Sequence, residues 1–269
     1  MQNILVPVDF SAVSRNAASY AAELARIFRS RLLLFHAYMI PAPVSEVPYN
    51  MITIDEQQQE NERLIKQEAN FLHTTYGIEV EWLVRIGIPS DEIKALAAER
   101  AADLIVMGIK GLGGLDKIIG STTVNVVNKV KTPVLIIPND AAYLPIQNIT
   151  YASDYSYPAS GQLFAPLLKI ATTFNARTHI VYVQRKKEEA AIDKTKYESI
   201  FGGTDHEHII IADASVKQGI HDYLQQQNCE LLVMVAHKHS FFERLFSKTY
   251  TADMAYETHI PLLVLQNKG

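Results

Sequence analysis

The sequence contains a single cysteine, Cys229, among its 269 residues. An intramolecular disulfide is therefore impossible, and a disulfide-free chain is typical of the cytoplasm, where we expect this protein to reside. Glycine and proline are also scarce, at 12 and 11 residues, which excludes collagen-like and low-complexity chains. Hydrophobic residues make up 48% of the chain and charged residues 20%, and this balance excludes an intrinsically disordered protein.

The chain has neither a broad basic field nor a long apolar run. Its formal net charge of −4 at pH 7 argues against binding to nucleic acids or to anionic membranes. A run of about 18 apolar residues, which would predict a membrane span, does not occur. The N-terminal segment NILVPVD lacks a positively charged leader, so it predicts a strand rather than a signal peptide.

A repeat of about half the chain is the most informative feature present. The segment NILVPVD ends at Asp9 and matches NITYASD, which ends at Asp154, and a predicted amphipathic helix follows each one. Later in each half, DLIVM aligns with ELLVM, and the runs PVLII and PLLVL close the two halves. This period is too long for a solenoid and indicates a duplicated domain. We predict two domains, residues 1–140 and 147–269.

Within each half, short apolar runs alternate with helical patterns. Continuously apolar strands are typical of a sheet that is covered on both faces. The alternation of strand and helix predicts right-handed crossovers and a parallel sheet. The expected fold class is therefore α/β, with two tandem doubly wound, Rossmann-like domains that each contain a five-stranded, mostly parallel sheet. In the first half the predicted strands are 3–8, 31–37, 78–84, 103–108 and 133–137, and the predicted helices are 14–29, 56–76, 90–101 and 120–131.

Polar and glycine residues of the first half are predicted to meet at the carboxyl ends of its strands. Asp9 ends the first strand, residues 36–38 end the second, and Gly108 follows the fourth. Ligands of open α/β sheets bind at this edge, where the strand order reverses. Glycine lets a backbone approach a phosphate closely, and a helix that starts at 120–122 offers amide and hydroxyl donors to anionic oxygens.

These glycines match neither of two well-known phosphate-binding patterns. The P-loop GxxxxGK[ST] is absent, and so is the dinucleotide fingerprint GxGxxG after the first strand. On the residues alone, the glycines could equally serve turns, and Gly120-Ser121 could be a helix cap.

The order of several motifs in the first half resembles the universal stress proteins. These motifs are PVD at the end of the first strand, GIPSDEI in the middle, and IVMGIKG, GSTT and TPVLIIP towards the end. The resemblance covers both halves and implies a tandem two-domain member with a regulatory role in stress response. Nucleotide-binding members carry Gly-x2-Gly-x9-Gly-Ser/Thr, which implies that this chain binds ATP or a related adenine nucleotide. The implied site residues are Asp9, Ala37, Gly108, Gly111, Gly120, Ser121 and Thr122.

One departure from the family pattern concerns the phosphate end of this site. Eight residues rather than nine separate Gly111 from Gly120. Magnesium could accompany the phosphates, although no second carboxylate is evident in the first half to hold it. No general base or activated nucleophile is evident beside them either, so we expect binding rather than catalysis. The alternatives are a slow ATPase or autophosphorylating enzyme, and a scaffold that has lost nucleotide binding.

The second half keeps the carboxylate Asp154 but loses the glycines of the motif. At a gapless offset of 127 residues, Val235 stands in the place of Gly108, so we expect one nucleotide per chain. Histidines occur in the segments 205–208 and 237–239 of this half. We interpret them as solvated surface rather than as a metal site, because no CxxC or HExxH motif accompanies them.

The resemblance also implies how the halves associate, since universal stress protein domains commonly pair through their last strands. Residues 133–137 and 261–265 are apolar, and an unpaired apolar edge is prone to aggregation. We therefore predict an intramolecular pseudo-dimer of the two halves. A homodimer of whole chains is compatible with this arrangement, whereas nucleic-acid and membrane partners are not expected.

Overall fold

The computed structural model describes residues 1–40, 54–109, 121–155, 160–184, 194–236 and 259–267. Strands and helices alternate through both halves. The strands are β1 (Asn3–Pro7), β2 (Arg31–Tyr38), β3 (Val80–Ile86), β4 (Leu104–Ile109), β5 (Val134–Pro138), β6 (Asn148–Ala152), β7 (Arg177–Gln184), β8 (His206–Ala212), β9 (Leu231–Ala236) and β10 (Leu262–Gln266). The helices are α1 (Ala12–Phe28), α2 (Ile54–Tyr76), α3 (Pro89–Glu99), α4 (Ser121–Lys129), α5 (Gly161–Phe174), α6 (Thr195–Phe201) and α7 (Val216–Gln226).

All of these strands belong to one sheet, in the order β3-β2-β1-β4-β5-β10-β9-β6-β7-β8. Strands within each half pair in parallel, and β5 pairs with β10 in antiparallel fashion, with Ile136 opposite Leu262. From its outer edge inwards, each half has its third, second, first, fourth and fifth strands in that order. This is the arrangement of two doubly wound halves about a pseudo-twofold axis. The predicted fold class is confirmed, and the last strands of the two halves pair as expected.

Helices cover both faces of the sheet, as right-handed crossovers require. Buried side chains of α1, α2, α5 and α6 form one core, and those of α3, α4 and α7 form the core on the opposite face. Helix α1 packs through small side chains, which allow its backbone to approach the sheet closely: Ala17, Ala18, Ala21, Ala22 and Ala25 are all buried. Among the helices that the structure describes, none combines the length and apolarity needed to cross a bilayer.

Each half anchors the start of its first strand with a carboxylate from the start of its fourth. The Asp103 carboxylate accepts hydrogen bonds from the backbone amides of residues 2 and 3, the latter at 3.1 Å. Glu230 does the same for the amides of residues 147 and 148, at 3.2 and 2.7 Å. The two acids are equivalent in the aligned halves, so the duplication extends to side-chain hydrogen bonds.

Helices α1 and α5 occupy equivalent places, yet α5 begins later. Both end at a left-handed residue, Arg29 with φ 53° and Asn175 with φ 51°. When these two residues are aligned, α1 begins three residues before α5, which matches their lengths of 17 and 14 residues. The first turn of α1 therefore has no counterpart within helix α5.

Candidate functional site

The strand order of the first half reverses at β1. Its neighbour on one side is β2, the next strand along the chain, and its neighbour on the other side is β4. Asp9, Ala37 and Gly108 lie at or just after the carboxyl ends of these three strands. The structure therefore brings these predicted residues to one edge of the sheet, where α/β folds bind ligands. Gly111 and Gly120 lie outside the described residues.

Asp9 follows β1, and its carboxylate is anchored by the start of α1. Its Oδ1 accepts a hydrogen bond from the Ser11 amide at 3.1 Å and another from the Ser11 hydroxyl. Partial burial raises the pKa of Asp9, but hydrogen bonds from Ser11 and Ser14 outweigh this effect, so the pKa lies below its usual value. The carboxylate is ionised at neutral pH and retains acceptor capacity for a ligand hydroxyl or amine.

His36 supports the turn that carries Asp9, a role that the sequence analysis did not assign. Its Nδ1 lies 2.7 Å from the carbonyl oxygen of Val8, and its ring centroid is 4.5 Å from that of Phe10. Phe10 has a φ of 62°, which is uncommon for a bulky residue. The sequence does carry a pattern that marks this turn. An aromatic residue directly follows the aspartate that ends the first strand, and the second half repeats this aspartate–aromatic pair.

Gly108 lies where the first turn of α1 crosses β4. A Cβ at this position would meet the Val13 carbonyl oxygen at 2.6 Å and the Val13 Cγ1 at 2.7 Å. The Gly108 carbonyl also accepts a hydrogen bond from Thr123 Oγ1 at 3.3 Å, so this backbone contacts both α1 and α4. This glycine is predicted to let a phosphate approach the backbone. The structure adds a second reason for it, since a Cβ here would also collide with α1.

The second half tolerates a bulkier residue at the equivalent place. Val235 is buried at the end of β9. A β-branched side chain is therefore accommodated at the position equivalent to Gly108. The counterpart of Val13 in the second half lies outside the described residues. The other substitutions of the motif, which include Lys238 and Lys248, lie outside the described residues.

Helix α4 is described from Ser121 onwards, which lies within the predicted helix 120–131. Ser121 is exposed and Thr122 is half-buried, whereas Thr123 is buried against Gly108. The first turn of α4 therefore presents two hydroxyls beside its amides, at the helix end where anions bind.

The interpretation of the 205–208 histidines as solvated surface is wrong. His206 and His208 are 10% and 7% exposed, and each has its Nε2 near the carboxylate of Glu198 on α6. Their alternation on one strand could have predicted a shared face, but the position of α6 over that face could not be read from the sequence. His237 and His239 lie outside the described residues.

A cavity of about 430 Å³ lies beside the beginnings of β6, β9 and β10, and its lining includes Tyr20, Cys229, Glu230 and His259. Burial raises the pKa of the Cys229 thiol. The thiol therefore stays protonated at neutral pH and is a poor nucleophile. Cys229 is partly buried and packs against the core as a small apolar residue.

Comparison with known proteins identifies relatives of both halves. The profile of the universal stress protein family matches residues 1–138 and 184–266. A universal stress protein of Methanocaldococcus jannaschii is 30% identical over 142 residues, which are 51% of this chain and 81% of that protein. One from Synechocystis sp. is 33% identical over 138 residues, which are 51% of this chain and 85% of that protein.

The same architecture occurs in a solved structure along the whole chain. The crystal structure of a universal stress protein from Archaeoglobus fulgidus superposes with a TM-score of 0.78 over 99% of this chain and 98% of its own. The two sequences are 18% identical, so this likeness establishes a shared fold.

Proposed function

Because this chain belongs to the universal stress protein family, we propose that it is a cytoplasmic stress-response protein that binds ATP or a related adenine nucleotide in a domain spanning residues 1–140. The second domain, residues 147–269, is proposed to lack this mode of binding. The observation that carries the proposal is the position of Asp9, Gly108 and the start of α4 around one reversal of strand order.

Each part of this edge suits a different part of the nucleotide. The ionised Asp9 carboxylate accepts hydrogen bonds from the ribose hydroxyls or the adenine amine, and the backbone of Ala37 lies beside the base. The first turn of α4, with Ser121 and Thr122, donates to the phosphate oxygens, and Gly111 and Gly120 complete the phosphate end. Any accompanying magnesium ion would take its ligands chiefly from the phosphates, because Asp9 is committed to the nucleoside and to Ser11.

One nucleotide is expected to bind per chain, because Val235 and the late start of α5 alter the equivalent edge of the second half. Calorimetric titration with ATP, ADP and AMP measures the number of sites. Mass analysis of nucleotide released from heat-denatured protein identifies the natural ligand. Two equal sites would contradict the asymmetry, and no binding would contradict the proposed function. Product formation that Ser121→Ala abolishes would favour the enzymatic alternative.

Asp9→Ala is expected to weaken nucleotide binding by about 1.5–3 kcal/mol, the usual contribution of a hydrogen bond to a charged group. Asp154→Ala is the matched control, since it removes the equivalent carboxylate from the second half and should leave the affinity unchanged. Calorimetry measures both, and circular dichroism checks the fold. Equal affinities of the wild type and Asp9→Ala would assign Asp9 to the support of α1 alone.

A further inference from the structure

The second half holds a cluster of ligating side chains that the proposed nucleotide site does not use. His206 and His208 alternate along β8, the outermost strand on this side of the sheet, so both lie on one face. Glu198 of α6 faces them both. Its Oε2 is 3.2 Å from His206 Nε2, and its Oε1 is 3.1 Å from His208 Nε2. The three ligating atoms lie within 4.8 Å of one another.

His206 is held in the orientation of a metal ligand. Its Nδ1 lies 3.0 Å from the carbonyl oxygen of Thr204. A carbonyl oxygen can only accept, so Nδ1 carries a proton, and Nε2 meets the Glu198 carboxylate either as a second N–H donor or as an acceptor. Two acceptors at this distance repel each other unless a cation lies between them or the ring gains a second proton. Histidines that bind metals commonly donate their other N–H to a backbone carbonyl in this way.

His208 supplies an independent indication that a ligand is needed here. Its side chain is 7% exposed, and its Nε2 has no hydrogen-bond partner among the described residues. The nearby Glu198 oxygen therefore lies within reach but outside hydrogen-bond geometry. The other ring nitrogen is hydrogen-bonded to the Tyr155 hydroxyl, which fixes the ring. A buried polar atom without a partner is unfavourable, and a cation at the focus of the cluster would remove that cost.

We propose that Glu198, His206 and His208 bind a zinc ion that joins α6 to the outer strand β8. Two imidazoles and one carboxylate form a known zinc ligand set, which leaves the fourth tetrahedral position to water. Ligand atoms of such a site are about 3.4 Å apart, given the usual bond lengths. The separations of 3.1 and 3.2 Å, each from one histidine to a different Glu198 oxygen, are close to this value, and the ligand atoms of all three residues lie within 4.8 Å of one another. Glu198 is 55% exposed, so the ion can enter from solvent.

The ligand chemistry favours zinc over magnesium or calcium. Imidazole suits zinc and related transition metals, whereas magnesium and calcium select all-oxygen sites. Tyr155 is a positioning residue in this proposal, because it contacts the His208 ring and not the metal.

The opposite face of the same sheet edge offers a matched control. His179 Nε2 lies 3.4 Å from Glu207 Oε1, and its Nδ1 is hydrogen-bonded to the Tyr223 hydroxyl. This pair repeats the histidine–carboxylate contact and the tyrosine support. No third ligand from the described residues joins it.

The test titrates zinc chloride into metal-free, full-length protein, with affinity measured by calorimetry and by competition with a chromogenic chelator. Loss of a residue that supports a metal ligand typically weakens metal affinity by about 10- to 100-fold. The zinc affinity of Tyr155→Phe should fall by about this factor. The zinc affinities of His206→Gln and of His208→Gln should each fall by more, because these variants lose a ligand itself. His179→Gln should bind zinc as the wild type does.

Two further measurements keep the result interpretable. The circular dichroism spectrum and the urea unfolding midpoint of each metal-free variant should match those of the wild type, which distinguishes loss of the metal site from loss of the fold. Glu198→Gln is the replacement test if a histidine variant does not fold, because it changes an exposed side chain. This variant should also bind zinc at least about 10-fold more weakly than the wild type. The proposal is overturned if the wild type binds no zinc, or if a folded His206→Gln/His208→Gln variant binds it as tightly as the wild type.

Discussion

Ile136→Lys is expected to destabilise the chain by more than about 4 kcal/mol, a loss at the upper end for single substitutions. Ile136 is fully buried in β5, between Met107 of β4 and Leu262 of β10. A lysine placed there must bury its ammonium group without a partner or move it to solvent, and either outcome disrupts the pairing of the two halves. Urea unfolding measures the loss of stability.

Limited proteolysis gives a second readout of the same substitution. The connection at 139–147 should be cut faster in Ile136→Lys, because the halves it joins separate more readily. Leu144→Lys is the control: Leu144 lies within this connection and is 60% exposed, so lysine there should leave stability almost unchanged. Cleavage of Ile136→Lys at the wild-type rate would show that the junction of β5 and β10 does not hold the halves together.

Gly108→Ala is expected to cost about 1–3 kcal/mol of stability, as overpacking usually does, and also to abolish nucleotide binding. The added Cβ would collide with the Val13 carbonyl, and α1 must shift to relieve the contact. That shift moves Ser11, which anchors the Asp9 carboxylate. Thermal or urea unfolding and nucleotide calorimetry should therefore change together.

The combination of readouts separates two reasons for this glycine. If stability stays at the wild-type level while binding is lost, Gly108 serves the approach of a phosphate rather than the packing of α1. Gly161→Ala is the control, because a Cβ at the start of α5 meets nothing within 4 Å. It should raise stability slightly, by about 0.4–1 kcal/mol, and leave the nucleotide affinity as it is.

Much of the sheet could be predicted because the information for its strands is local. Apolar runs bounded by polar residues gave β1, β2 and β4 within about a residue of their observed bounds. Strand β3 begins two residues later than predicted. Gly77 adopts a φ of 65°, and Ile78 is buried in the turn that follows. An apolar pattern counts such a residue as part of the strand, because burial alone does not distinguish strand from turn.

The candidate site was predictable only as far as strand order determines it. The meeting of Asp9 with Gly108 follows from two neighbouring parallel strands. The contact of Gly108 with Val13 depends on how closely α1 crosses β4, which no local pattern reports. The proposed zinc site also depends on contacts that no local pattern reports, since the Tyr155 hydroxyl that fixes the His208 ring is 53 positions away from it. The side chains of His206 and His208 become buried because α6 packs over β8. The polar sequence of this segment therefore predicts a solvated surface, whereas the folded chain forms a half-enclosed cluster.

The connection at 139–147 tethers the halves that pair through β5 and β10, so their association does not depend on protein concentration. Two separate chains of this shape would part on dilution, whereas tethered halves meet at an effective concentration of about millimolar. In a dimer of identical chains, both subunits must also have the same residue at each position. A duplicated chain can place glycine at position 108 and valine at 235, so every molecule carries the two versions in a fixed ratio of one to one.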